Sequence, residues 1–234
     1  MSDGAFSAAL AMILSLDPEF LGIVGLSLQV SLVAVAIAAI IGMPAGALLA
    51  MKRFPGRAAV IVVVNALMGL PPVVAGLAVY LMLSRSGPLG SLGFLFTPTA
   101  MIVAQTILVL PIVIALTRQV IEDLWLEYRD HLTSLGQTGR AAIPTLLYDA
   151  RFALAVALLA GFGRASAEVG AVFIVGGNIA GHTRTMTTAI ALETSKGELV
   201  VALGLGIVLL ALTFLINVFV FGASRVGRRY MGQA

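Results

Sequence analysis

The chain has 234 residues, 60% of them hydrophobic and only 11% charged, with a mean hydropathy of +1.07; soluble domains carry roughly a quarter charged residues, so the composition excludes an ordinary soluble protein and points to a membrane-embedded one. A formal charge of +3 does not mark a nucleic-acid binder, because the basic residues lie beside apolar segments and form no continuous stripe. Without cysteine there is no disulfide framework, thiolate metal site or thiol nucleophile.

The opening MSDGAFSAALAMILSL has Asp3 where a secretory signal is basic, and it reads as an interfacial helix that is not cleaved. A spanning helix needs about 20 predominantly apolar residues. Suitable runs extend from Phe20 to Met51, Ala58 to Leu83, Pro98 to Thr117, Phe152 to Gly176 and Leu199 to Ala223, the fourth with Arg164 and Glu168 inside it. The expected fold is therefore all-α: a polytopic membrane protein of about five transmembrane helices, six if a short external helix near Thr185 to Glu193 is counted. No polar stretch is long enough for an additional domain, so residues 1–234 read as one membrane domain.

In the first run Gly22, Gly25, Gly42 and Gly46, the last two as G-x-x-x-G, suit close helix approach. The second run is interrupted by MGLPPVVAG, where neither Pro71 nor Pro72 donates a backbone hydrogen bond, so a kink is expected. Such a kink either lines a transport cavity or is a packing irregularity, and Pro111 in the third run reads likewise. Basic residues near spans stay cytoplasmic. Lys52, Arg53 and Arg57, then Arg118, Arg129, Arg140 and Arg151, then Arg225, Arg228 and Arg229 outnumber Arg85, Arg184 and Lys196 in the alternate loops. This asymmetry places the N-terminus outside and the C-terminus in the cytoplasm.

Between the third and fourth runs lies WLEYRDHLTSLGQTGRAAIPTLLYDARF, a polar cytoplasmic segment too long for a simple connection. Leu124, Leu132 and Leu135, then Leu146 and Leu147, flank GQTG, which predicts two short helices at an angle, broken at Gly136 and Gly139. Either this elbow docks a partner or it is an interfacial loop that joins spans. Its spacing resembles the coupling loop of ABC-importer membrane subunits, where an acidic-Ala-Ala triplet, three residues and a glycine precede, nine residues on, Ile-x-Leu-Pro. Asp130 stands at the acidic place, Gly136 at the glycine and Leu146 at the isoleucine; His131 and Leu132 replace both alanines, and Tyr148 and Asp149 replace Leu-Pro.

The following AEVGAVFIVGGNIAGHTRTMTTAIALETSKGEL resembles the membrane subunits of molybdate and sulfate importers, and most closely their tungstate-type relatives. The resemblance covers nearly the whole chain. It implies a single transmembrane permease domain in the cell (inner) membrane, with a coupling loop at 119–151 that meets the ATPase through Asp130, His131, Leu132, Gly136 and Leu146. It also implies a second copy of the chain, two cytoplasmic ATP-binding subunits, and an external binding protein that delivers the oxyanion. The chain itself has no G-x-x-x-x-G-K-[ST] phosphate loop, so ATP hydrolysis is expected in a partner. No catalytic residue and no cofactor are expected here. His131 and His182 fall on opposite predicted sides, so no metal site is expected either.

Arg164 and Glu168 are four apart and share a helix face, so they can pair with each other. Charges inside membrane helices cost roughly 3 kcal/mol each on insertion scales and face protein interior or water. The pair either fixes helix packing or anchors a span near its end, or makes Arg164 a transient anion contact, partly neutralised by Glu168 so that the anion can leave. Thr185, Thr187 and Thr188 after the GGN turn either solvate an oxyanion or cap a short helix. The translocation set is Pro71, Pro72, Arg164, Glu168, Asn178, Thr185 and Thr187. Two other classes stay open: a secondary carrier or channel working without ATPases, and a structural membrane scaffold.

Overall fold

A computed structural model describes Ala11, Leu14 and residues 17–137 and 139–230, with backbone alone for Arg140 and 223–230. The expected N-terminal interfacial helix lies, apart from Ala11 and Leu14, outside the described residues. The described residues form α-helices joined by turns and two short 3₁₀ segments: α1 (Pro18–Met51), α2 (Arg57–Met68), α3 (Pro72–Leu83), α4 (Pro98–Ser134), α5 (Ile143–Asp149), α6 (Arg151–Ser166), α7 (Gly170–Gly176), α8 (Met186–Lys196) and α9 (Leu199–Tyr230). Three helices are long and apolar enough to cross a bilayer, Pro18–Met51, Pro98–Ser134 and Leu199–Gly222, and two bent pairs raise the number to five. The chain is an all-helical, multi-pass membrane protein.

The helices follow the uncharged runs, but three details differ from the sequence reading. First, α4 does not stop near Thr117. Nothing between Arg118 and Ser134 breaks a helix, and Arg118 and Glu122 pair one turn apart, so the helix runs on to Ser134. The elbow's first arm is therefore the end of this long helix. Its break falls at Leu135 to Gln137, where Gly136 takes a φ of 75°, and a 3₁₀ turn at Gly139–Ala142 leads into α5. Second, α5 and α6 are bent by 75°. The Arg151 guanidinium holds that corner: it lies 4.1 Å from the Tyr148 ring centre and 4.8 Å from that of Phe152, and donates to the Tyr148 carbonyl. Third, the fourth run is not one helix. It breaks at Ala167 to Val169, so Glu168 lies between α6 and α7. The short helix expected near Thr185 to Glu193 is present as α8.

The chain divides into two compact units. One comprises 1–34, 71–106 and 163–216. In it the half-helices α3 and α7 pack backbone to backbone: a Cβ built on Gly76 would stand 2.7 Å from the Ala171 Cα. Helix α8 is held by a small core of Phe20, Met186, Ala189 and Leu205, and the Met186 N–H donates to Ser27 Oγ at 2.7 Å.

The other unit comprises 35–70, 107–162 and 217–234. Here a core of Ala47, Ile121, Ala142, Leu146, Ala150 and Leu154 ties α5 to α1 and α4. A Cβ on Gly46 would stand 2.6 Å from the Ile114 carbonyl oxygen, so the G-x-x-x-G reading holds for Gly46 as close approach of α1 to α4. Helix α2 buries no residue, and Val62 and Val63 are exposed, as is natural for a helix whose apolar face meets lipid or another subunit.

Candidate translocation and coupling sites

The break after α6 gathers most of the charge and hydrogen bonding that the sequence places inside a span. Arg164 is in the last turn of α6, and its Nη1 lies 3.3 Å from Glu168 Oε2. The two side chains are unequal: Glu168 is 3% exposed and Arg164 31%. A carboxylate this buried needs partners, since an uncompensated charge in an apolar interior is costly. Glu168 has a second one, because its Oε1 accepts the Ala171 N–H at 3.0 Å in the first turn of α7. The carboxylate thus caps α7 where the helix dipole is positive.

The backbone around the break is pinned from two other elements. Gln105 in α4 donates through Nε2 to the Ala165 carbonyl at 3.0 Å, and Thr187 in α8 donates through Oγ1 to the Glu168 carbonyl at 2.8 Å. Both side chains are buried, and Gln105 Oε1 has no partner among the described residues. The Pro71–Pro72 break adjoins the same point, since a Cβ on Gly170 would meet Val73 Cγ2 at 2.8 Å. The structure therefore brings together Arg164, Glu168, Thr187 and the start of α3.

Thr185 and Thr188 form a reciprocal cap at the start of α8, and Thr185 Oγ1 also lies 3.3 Å from Thr187 Oγ1. All three hydroxyls are buried and already bonded. That geometry is the capping alternative of the sequence reading. Asn178 belongs to the turn at the other end of α7, with a φ of 50° and its Oδ1 buried without a partner among the described residues. Thr183 closes this turn by donating to the Gly176 carbonyl at 2.6 Å and accepting the Ile179 N–H at 2.9 Å.

At the elbow, the residues matched to a coupling motif divide by direction. Asp130 and His131 are exposed near the end of α4, with Asp130 3.3 Å from Arg129. Leu146 is fully buried, and Leu132 packs partly against its cluster. Gly136 makes the turn between these arms. Leu126 is 71% exposed, Leu135 77% and Tyr148 65%; the sequence reading did not single out Leu126, and it used Leu135 and Tyr148 without their outward direction. Their signal was present as apolar residues within a run of mixed polarity. Gln105 was also missed, although an amide inside the apolar run AMIVAQTILVL is itself a signal.

No protein-family model matches the sequence. Individual proteins do. A probable anion ABC transporter permease protein of Haloferax volcanii is 41% identical over 213 residues, 89% of this chain and 89% of that protein. The tungstate uptake system permease protein TupB of Peptoclostridium acidaminophilum is 40% identical over 216 residues, 92% of this chain and 95% of that one. This chain belongs to the oxyanion group of ABC-transporter permeases. The corresponding TupB of Campylobacter jejuni is 41% identical over 167 residues, 71% of this chain and 68% of that protein. Permeases of this kind are transport components rather than catalysts.

Proposed function

We propose that this permease is the membrane subunit of an ATP-driven importer of a tetrahedral oxyanion, tungstate first, working as a homodimer with two cytoplasmic ATP-binding subunits and an external binding protein. The observation that carries the reading is the similarity, over 92% of the chain, to a tungstate uptake permease. The Lys/Arg asymmetry supports an outside N-terminus and a cytoplasmic C-terminus, which puts the elbow at 119–151 on the ATPase side.

In this reading Arg164 makes the transient anion contact. One of its donors is engaged by Glu168 and the rest of the half-exposed guanidinium is available. Glu168 is anchored to α7 and offsets the positive charge of Arg164, so an oxyanion is held weakly enough to move on. Pro71 and Pro72 contribute the adjoining helix break, and Thr187 and Thr185 shape the site through the Glu168 carbonyl and the α8 cap. Asn178 offers its unbonded oxygen at the far end of α7. At the elbow, the exposed Leu126, Leu135 and Tyr148, with Asp130 and His131, are the contacts offered to the ATPase, while Leu132 and Leu146 carry displacement inward.

The test is anion uptake into proteoliposomes, with each partner omitted in turn. Tungstate uptake should need ATP, the ATPase and the binding protein together, and Arg164→Ala should impair it without changing the affinity of the separate binding protein. Uptake by the permease alone without ATP would establish a carrier instead. Preference for sulfate would change only the substrate. A reporter fused at Gly136 should read cytoplasmic; an external signal would overturn the orientation and the coupling assignment together.

A further inference from the structure

We infer that Arg57 is a positioning residue for coupling: with Glu122 and Arg118 it clamps the end of α1, the start of α2 and the inner stretch of α4 into one block that receives the movement of α5. Sequence alone treats Arg57 as one of three basic residues in the KRFPGR loop that mark the cytoplasmic side. Its geometry sets it apart. Lys52 and Arg53 are exposed, whereas Arg57, at the first position of α2, folds back under the loop.

Its Nε donates to the Leu49 carbonyl at 2.8 Å and its Nη2 lies 3.4 Å from the Ala50 carbonyl, both in the last turn of α1. Those carbonyls have no partner within their own helix, because the last four of any α-helix lack one. The same Nη2 meets Glu122 Oε1 of α4 at 2.6 Å, and Arg118 holds the other carboxylate oxygen. One planar guanidinium therefore serves two helix-end carbonyls and a carboxylate at once, and only a fork of fixed donors does this. The groups are a fifth to a third exposed. Their worth as plain stability is correspondingly modest, and their effect is on relative position.

The clamp is located where coupling needs it. Ile121, next to Glu122, and Ala47, one turn before Ala50, belong to the same fully buried cluster as Leu146 of α5. A push on α5 reaches α1 and α4 through Leu146. If the two helices slide past each other, the push is absorbed between them; if they are tied at Arg57, both move together. The amino-terminal residue of α2 is the tie, so α2 moves with them.

The inference rests on the importer reading above, and the experiment separates the two. The permease is reconstituted with its ATPase and binding protein, and tungstate taken up per ATP hydrolysed is measured for Arg57→Gln, Arg57→Lys, Glu122→Gln and the control Arg53→Gln. A coupling element is worth at least about a fivefold change. Arg57→Gln and Arg57→Lys should lower the ratio by that much while the assembly stays intact, Lys failing because a single ammonium cannot bridge the carbonyls and Glu122. Glu122→Gln should lower it as well, and Arg53→Gln, which removes the same charge from the same loop, should match the wild type. A normal ratio in Arg57→Gln, or equal losses in Arg57→Gln and Arg53→Gln, overturns the clamp. If Arg57→Gln does not insert, the ratio in Arg57→Lys and Glu122→Gln decides. Absence of ATP-dependent uptake by the wild-type assembly would count against the importer reading itself.

Discussion

Replacing Glu168 tests whether the break in the fourth span is built around its carboxylate. Glu168→Ala removes two things at once: the cap on Ala171 and the charge that faces Arg164. A helix cap contributes about 1 kcal/mol. The ion pair is half open, with Arg164 31% exposed against 3% for Glu168, so its loss lies between about 1 kcal/mol for an exposed pair and about 3–5 kcal/mol for a buried one. Taking about 2 kcal/mol for the pair, the total is about 3 kcal/mol. In a chain of this length each kcal/mol moves the melting midpoint by about 2–4 °C, so Glu168→Ala should melt about 6–12 °C lower. Glu168→Gln keeps an oxygen for the Ala171 N–H and loses only the charge, which predicts a fall of about 4–8 °C. Adding Arg164→Gln to Glu168→Gln should recover part of this, because no unpaired cation is then left at the break. The assay is thermal unfolding of the purified permease in one detergent, followed by circular dichroism. A Glu168→Ala protein that melts with the wild type, or a Glu168→Gln protein as unstable as Glu168→Ala, would refute the capping and pairing roles.

Five further substitutions separate contact from conformation. Gly46→Val should reduce stability by about 1–3 kcal/mol or abolish folding, since its Cβ would collide with the Ile114 carbonyl of α4; Gly22→Ala, with nothing within 4 Å, should melt like the wild type. At Gly136 nothing obstructs a side chain but φ is 75°, so Gly136→Asn should keep uptake coupled to ATP hydrolysis and Gly136→Val should insert normally yet uncouple them. Leu146→Ala should cost about 2–5 kcal/mol in thermal unfolding because the side chain is fully buried; a near-neutral result would mean that α5 is not anchored to α1 and α4.

The spans were legible because hydropathy over about 20 residues is a property of the chain itself and needs no knowledge of partners. The break at Pro71–Pro72 was legible for the same reason, since a missing N–H is local. The break at Ala167 to Val169 was not. It contains no proline, and a continuous helix would have paired Arg164 with Glu168 equally well. What ends the helix is tertiary: Gln105 takes the Ala165 carbonyl from one side and Thr187 takes the Glu168 carbonyl from another, 60 and 19 residues away in sequence. The same distinction explains the elbow. Motif spacing located Asp130, Gly136 and Leu146, but spacing does not say that Asp130 faces out and Leu146 in, which depends on Ala47 and Ile121 supplying the surface that Leu146 covers.

Arg57 carries that argument furthest. Counted as charge it is equivalent to Lys52 and Arg53, and any rule based on loop composition treats the three alike. Position alone distinguishes it: five residues beyond Met51 the chain has turned back through Gly56, with a φ of 87°, and so the first side chain of α2 reaches the last carbonyls of α1. A basic residue just after such a reversal can close the helix end behind it, and one facing a carboxylate on a third helix can join all three. In the proposed reading, topology and coupling draw on the same residue: the charge that counts toward a cytoplasmic loop is also the donor set that binds the helices. Exchanging Arg57 for another cation preserves the first role and removes the second, which is why Arg57→Lys is the more telling substitution.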